Sequence, residues 1–478
     1  MVVGDVTTGT DVLVIGAGPG GYTAAIRGGQ LGLDVTLVEK ADYGGICLNH
    51  GCIPSKALIT ATGIAHEAGN AEEMGVYADP AIDFAQMMEW KDGVVEKMTG
   101  GVEKLCKANG VNLIEGTAVF EDEHTARVSH AGEGQGSESI EFEHAIVATG
   151  SEPIEIPGFS YDDDPILSSR EALQLRSVPD ELVVVGAGYI GMELAEVYAK
   201  AGSDVTVVEM LDSMLPQYPD SLVRPVRKLA RQFDIDFEFE QTASEWERVG
   251  DTHLVRTEPA PDAEGVEGTE LTADKIMVAV GRQPVTDTVN LDAIGIEPNE
   301  NGFIDIDDRA RTEVEHVYAI GDVVGEPMLA HKASTEGEVA IEHIAGEPVA
   351  LDYQAMPAAV FTDPEIATVG MTEAEAEEAG YDPVVGEFPF RAGGRAPTTG
   401  HIDGSVTIVA EEESGFVLGG QIVGQEASEL IAEVSLAIEM GATLADLGNT
   451  VHTHPTLSEA VMEAAENAYG HAIHTLNR

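Results

Sequence analysis

Three cysteines in 478 residues are too few for a scaffold of disulfides, and only 25 lysines and arginines are available to meet a polyanion. The first scarcity excludes the cysteine-dense secreted folds. The second disfavours nucleic acid, whose binding rests on neutralising phosphates with basic side chains. Aromatic residues make up 5% of the chain, and no apolar run approaches the roughly 20 residues of a membrane span. Met1–Thr10 lacks the basic and apolar regions of a signal peptide. These absences point to a cytoplasmic protein in a reducing compartment, with no membrane partner. An odd cysteine count leaves Cys106 as a buried thiol.

What is abundant is acid and glycine. Against the 25 basic residues stand 85 aspartates and glutamates, a formal net charge of −60 spread along the whole chain. Such self-repulsion opposes the compact state at ordinary ionic strength, whereas near 1 M salt the Debye length falls to about 3 Å and screens it. A halophilic cytoplasm accounts for the charge; the alternative is an acidic surface that recognises a basic partner. The 53 glycines suit α/β sheets joined by tight turns, and the length calls for three or four domains.

Asp11–Ile15 is a short apolar run, followed by Gly16-Ala17-Gly18-Pro19-Gly20-Gly21, a helical stretch Tyr22–Leu31, and a second apolar run Asp34–Val38 ending in Glu39. Gly16, Gly18 and Gly21 allow a tight turn and close backbone approach. The helix N-terminus offers free N–H groups to a pyrophosphate, and Glu39 can accept from ribose hydroxyls. The pattern recurs at the same spacing: Glu181–Val185, the glycines Gly186, Gly188 and Gly191, a helix to Lys200, then Asp204–Val208 and Glu209. Two dinucleotide sites are therefore expected. An acid at Glu209 repels a 2′-phosphate and favours NAD over NADP.

Between the first unit and its repeat runs Gly44-Gly45-Ile46-Cys47-Leu48-Asn49-His50-Gly51-Cys52-Ile53-Pro54-Ser55-Lys56. Residues five apart in a regular helix lie about 7.5 Å apart along the axis, whereas a disulfide needs Cα atoms within roughly 4.4–6.8 Å. A bond between these two cysteines thus requires a distorted turn, for which Gly51 removes a Cβ and Pro54 interrupts the hydrogen-bond ladder. Two buried structural thiols are the plainer reading of the same pair.

This run resembles the redox-active segment of the pyridine nucleotide–disulfide oxidoreductases, and the resemblance extends over nearly all of the chain. It departs at Ile46, where the family usually has threonine. The resemblance implies an α/β fold with two Rossmann-like domains, for FAD and NAD, and a C-terminal α+β dimerisation domain. Its parts are an FAD domain at 1–150, an NAD domain at 151–280, a segment at 281–350 that completes the FAD site, and an interface domain at 351–478. It implies a reversible Cys47–Cys52 disulfide, with Cys47 exchanging with a dithiol substrate and Cys52 lying against the flavin. That substrate is dihydrolipoamide, free or on a lipoyl-bearing carrier such as a 2-oxoacid dehydrogenase complex, and the product is NADH.

The remaining roles follow from the same resemblance. Lys56 sits near the flavin and pairs with Glu193, and Tyr189 gates the nicotinamide pocket. Gly150 marks the crossing between domains, Gly281 the return. Asp322 binds the ribityl chain, and the helix opening at Ala330 and His331 faces the flavin ring. His454, oriented by Glu459, is the acid–base group, supplied by the partner subunit of a homodimer. A structural histidine, or a metal pair of His452 with His454, is the alternative; no third ligand is evident and no metal is expected. A reductase of the glutathione type, or a flavoprotein serving as a docking subunit, is the competing class.

Phe84–Lys107 reads as one or two long helices, Val111–Phe120 and Ile140–Val147 as strands about a turn at Ala131–Ser139, and Ala260–Gly268 as an exposed acidic loop. Strands are expected at Ile276–Val280, Val317–Ile320, Ala359–Phe361, Val406–Ala410 and Phe416–Val423, with helices at Glu373–Ala379 and Ala427–Met440.

Overall fold

A computed structural model describes residues 7–130 and 136–477. The first apolar run forms β1 (Thr7–Ile15), the glycine turn opens α1 (Pro19–Leu31), and the second run is β2 (Val35–Glu39). The cysteine segment gives two helices, α2 (Gly45–His50) and α3 (Cys52–Gly69), and then comes α4 (Phe84–Ala108), a single helix capped by the Asp83 side chain. Strands β3 (Asn112–Asp122), β4 (Thr125–His130) and β5 (Ser137–Val147) complete the unit. β3, β2, β1 and β5 lie side by side in parallel, and β4 joins the outer ends of β3 and β5 antiparallel. The expected turn at Ala131–Ser139 falls partly on residues 131–135, outside the described residues.

Val317–Ala319 returns from far along the chain to pair with β5, and the helix Ala330–Ile344 packs against α1. The core between these layers is aliphatic, with Val12, Val14, Leu37, Ile146 and Ile341 buried.

After two short strands, β6 (Ser151–Pro153) and β7 (Ile166–Leu167), and a one-turn helix α5 (Ser169–Ala172), the glycine motif repeats as β8 (Glu181–Val185), α6 (Tyr189–Ala201) and β9 (Asp204–Glu209). Ile235–Phe239, β9, β8, Lys275–Val278 and β7 form a second parallel sheet. The polar-alternating stretch from Gln241 to Ala273 makes a three-stranded antiparallel sheet that the apolar pattern did not announce. The acidic loop lies between its last two strands, although Ala260 at its start is buried.

The C-terminal part is a five-stranded antiparallel sheet in the order Ala358–Val360, Glu365–Gly370, Val417–Gly424, Ser405–Glu411, Pro383–Pro389. Helices Ala427–Glu439 and Glu459–Ala468 pack on it. Two of those strands, Glu365–Gly370 and Pro383–Pro389, were not expected; prolines and glutamates blur their alternation. Among the described residues no helix is long and apolar enough to cross a membrane.

Candidate active site

The two glycine turns are built alike. Gly16 has φ +103° and Gly186 φ +104°, a region that L side chains rarely adopt. A Cβ on Gly21 would stand 1.9 Å from the Gly16 carbonyl oxygen, and one on Gly191 would stand 2.0 Å from that of Gly186. Only glycine lets each helix seat this close to its strand. Glu39 accepts from the N–H groups of Ala17 (2.7 Å) and Ala41 (2.9 Å), and Glu209 from those of Ala187 (2.7 Å) and Leu211 (2.9 Å). Each carboxylate thus braces its own turn, and each oxygen keeps a further lone pair for a ribose hydroxyl. A Cβ at Gly18 or Gly188 would meet no protein atom within 4 Å. Gly18 lines a large cavity, where such a methyl would occupy the space a pyrophosphate needs. The donor set and the open glycines fit a dinucleotide in each fold.

That cavity, about 530 Å³, runs from Gly16, Gly18, Gly21 and Glu39 past Cys47, Cys52 and Lys56 to Tyr189 and Glu193, and takes in Gly150, Asp322 and Ala330. It joins the first nucleotide turn to the front of the second fold. The His331 side chain does not line it, its Nε2 bonding the Pro357 carbonyl at 2.8 Å; the helix itself opens at Ala330 on the cavity wall. Gly186, Gly188, Gly191, Glu209 and Gly281 also lie outside the cavity, around the second turn and its exit strand.

The cysteines are placed by a break in the helix. At Gly51 the backbone takes φ −143°, ψ −108°, so α2 ends at His50 and α3 restarts at Cys52. Pro54 does not interrupt anything: it occupies the first turn of α3, where a missing N–H has no intrahelical partner to lose. Both cysteines are thiols here and share a hydrogen bond. That bond raises the Cys47 pKa well above its ordinary value, with burial adding to it. The same bond lowers Cys52 to about 7 against the opposing effect of burial, helped by the Lys56 charge. Cys52 is also the first residue of an 18-residue helix, a position that favours a thiolate. Cys106 is fully buried in α4, its pKa pushed up to about 11 by burial.

Lys56, one turn after Cys52 on the same helix face, pairs with Glu193 at 2.7 Å and lies 4.4 Å over the Phe361 ring. The other Glu193 oxygen accepts the Phe361 N–H at 2.9 Å. Asp322 accepts from the Ser151 hydroxyl, which in turn accepts from Arg282 Nε at 2.8 Å. Sequence reasoning missed Ser151 and Arg282 as site residues: they meet only because β6 pairs with the strand Arg282–Pro284.

His454 is elsewhere. Its Nδ1 lies 2.9 Å from Glu459, and its ring is 76% exposed in a second cavity of about 200 Å³ formed with Arg395 and Phe390. Within one chain the expected acid–base group does not meet the cysteines. Burial would raise the Glu459 pKa, but the N–H of Thr456 and the His454 imidazole outweigh it and hold the carboxyl below its ordinary value. His452 has both ring nitrogens taken, by Glu433 and the Thr450 carbonyl at 2.8 Å each, as a structural histidine would.

Nucleotide turns flanking a thiol pair define an oxidoreductase that moves electrons between a dithiol and a nicotinamide. Residues 10–337 match the family described as pyridine nucleotide-disulphide oxidoreductase, and residues 356–465 match its dimerisation domain. The chain belongs to that family. It is 68% identical to the dihydrolipoyl dehydrogenase of Halobacterium salinarum and 66% identical to that of Haloferax volcanii, each over the full length of both chains. It is 46% identical to the dihydrolipoyl dehydrogenase of Geobacillus stearothermophilus, also full length. Among solved structures, LpdA from Mycobacterium tuberculosis superposes with a TM-score of 0.88 at 27% identity, covering 96% of this chain and 99% of that one. The flavoprotein disulfide reductase RclA of Escherichia coli gives 0.84 at 26%, covering 95% and 99%.

Proposed function

We infer that this chain works as a dihydrolipoyl dehydrogenase: it oxidises dihydrolipoamide to lipoamide and reduces NAD, using FAD and a Cys47–Cys52 disulfide. The observation that carries the reading is the placement of a thiolate-favouring Cys52 and the Lys56–Glu193 pair in one cavity with the first glycine turn. The full-length relatives of the same activity support it.

FAD would be held by Gly16, Gly18, Gly21, Glu39, Lys56, Gly150, Asp322 and Ala330, and NAD by Gly186, Gly188, Gly191, Glu209 and Gly281. Bound there, the two supply the two-electron carrier between dithiol and nicotinamide. The remaining chemistry is the chain's own. His454, with Glu459 stabilising its imidazolium form, takes a proton from one substrate thiol. The resulting thiolate attacks Cys47 and breaks the Cys47–Cys52 bond, and the electron pair of that bond goes to Cys52 as thiolate. The second substrate thiol then displaces Cys47 from the mixed disulfide, which closes the lipoyl ring and leaves an enzyme dithiol. The hydrogen bond from Cys47 and the helix N-terminus hold the charge on Cys52.

Because His454 and the cysteines lie apart in one chain, the working unit is a homodimer in which the partner brings the base. The domain division proposed is 1–150 for FAD, 151–280 for NAD, 281–350 completing the FAD site, in keeping with the return of Val317–Ala319 to the first sheet, and 351–478 for the interface. The carrier is a lipoyl-bearing protein, as in a 2-oxoacid dehydrogenase complex, and the setting is cytoplasmic and salt-rich. The test is NAD reduction by dihydrolipoamide in multimolar KCl, run against NADP and glutathione in parallel. Reduction of oxidised glutathione with NADPH, and no turnover with dihydrolipoamide, would sink it.

A further inference from the structure

Helix α6 carries Glu193, Glu196 and Lys200 at i, i+3 and i+7, spacings that share one stripe. The stripe faces α3 and the turn Phe361–Asp363 of the C-terminal part. Glu196 is 3% exposed. Its Oε2 accepts the Asp363 N–H at 2.8 Å, while Oε1 is buried with no hydrogen-bond partner among the described residues. Lys200, the nearest cation, is committed elsewhere: it bonds Asp363 at 2.9 Å, lies 4.4 Å over the Phe233 ring, and stands 4.0 Å from Glu196.

The buried cluster has a charge count that decides the state of Glu196. Lys56 answers Glu193 and Lys200 answers Asp363, two cations for two anions. An ionised Glu196 would add a third anion with half its carboxylate unpaired, which a buried site strongly disfavours. Burial pushes its pKa up to about 8; Lys200 opposes this, and Asp363 and Glu193 add to it. His66 of α3, edge-on to Phe233, also senses Lys200 and Asp363.

We propose that Glu196 carries a proton in the working enzyme and is a positioning residue for Lys56. It keeps the Lys56, Glu193, Lys200 and Asp363 cluster neutral, and it holds the turn whose Phe361 N–H fixes Glu193. The proposal deepens the dithiol reading above, since Lys56 and Glu193 both act on the charge of Cys52. When Glu196 ionises, its charge adds to that of Glu193, which opposes the Cys52 thiolate and holds Lys56, so through that pair the two titrations spread one another.

The experiment uses the reduced holoenzyme in high salt, wild type against E196Q and E196A, and needs no dihydrolipoamide. Infrared difference spectra between pH 6 and pH 10 should show a carboxylic-acid carbonyl stretch in the wild type that is missing in E196Q. Alkylation of Cys52 by iodoacetamide, followed by mass spectrometry, should rise over a wider pH span in the wild type than the roughly two units of a lone group, and narrow to that span in E196Q. E196A, which leaves the Asp363 N–H without its acceptor, should lose thermal stability that E196Q retains. An absent acid band at pH 6, or alkylation profiles that coincide in wild type and E196Q, overturns the proposal. Failure of the dihydrolipoamide assay would instead count against the enzymatic reading and leave these two readouts in place.

Discussion

Lys56 and Glu193 form a 2.7 Å ion pair across 137 positions of chain, and their access to water is unequal: the lysine side chain is 31% exposed, the glutamate 4%. The pair is therefore asymmetric to mutation. K56M strands a buried carboxylate on one backbone N–H, whereas E193Q leaves a lysine that can turn to water and a side chain that still accepts from Phe361. Removing one partner of a buried pair costs about 3–5 kcal/mol, and K56M should fall near the low end of that range because water reaches the site. E193Q should cost about 1 kcal/mol, the worth of a weakened hydrogen bond. Thermal unfolding in constant salt distinguishes them; equal losses would show that the asymmetry has no energetic weight.

Cys52 should be reactive where an ordinary thiol is not. With its pKa lowered to about 7 by the Cys47 hydrogen bond and Lys56, it is mostly thiolate at pH 8, while an ordinary thiol, with a pKa near 9, is mostly protonated. Iodoacetamide should label Cys52 of the reduced protein with a midpoint near pH 7 and leave Cys47 and Cys106 nearly untouched. K56M should move the midpoint upward, since the lysine charge favours the thiolate. Preferential labelling of Cys47 would reverse the roles assigned to the two sulfurs.

The separation of His454 from the cysteines makes a complementation test decisive. H454Q should lower turnover with dihydrolipoamide by about 10²–10⁴, the usual weight of a general base. C52S should abolish it. Co-expressed, the two chains form heterodimers in which one site regains both groups if the base comes from the other subunit, and activity should return. Mixed chains that stay dead would place the base within its own subunit.

Salt should stabilise this protein far beyond its effect on an ordinary one. Arg256 alone is bonded by Glu245, Glu247 and Glu270, in a chain whose acids outnumber its bases 85 to 25. As the Debye length shrinks from about 10 Å at 0.1 M to about 3 Å at 1 M, the repulsion among unpaired carboxylates fades. The melting temperature should climb steeply over that range, and R256M should steepen the dependence. A flat salt profile would assign the acids to a docking role instead.

The two nucleotide folds and the thiol helix were legible because each is written locally: a strand, a glycine turn and a terminal acid within one short stretch, repeated 170 positions later. The site's second layer was not, for a physical reason. Ser151 meets Arg282 through the pairing of strands 131 positions apart and Asp322 across 171 positions, and no local pattern encodes either meeting. Glu196 reads in sequence like any surface glutamate of a helix; only packing against residues 361–363 buries it. Pro54 misled in the opposite sense, since a proline just inside a helix start is harmless and Gly51 alone makes the break. The helix start at Ala330 and His331 was legible as a backbone feature, and the His331 ring, turned toward Pro357, has no part in it.

Val317–Ala319 adds the last strand of the first sheet, and Ala330–Ile344 covers α1, some 170 positions after β5. On a ribosome adding 5–20 residues each second, that wait is roughly 10–30 s. The second nucleotide fold, contiguous from β8 to Lys275–Val278, is complete in the nascent chain while the first still lacks a wall. Newly made chains thus expose the glycine and alanine flank of α1 and the apolar edge of β5 during synthesis, and a stop codon anywhere before residue 344 leaves a polypeptide that chaperones and proteases would recognise by that uncovered surface.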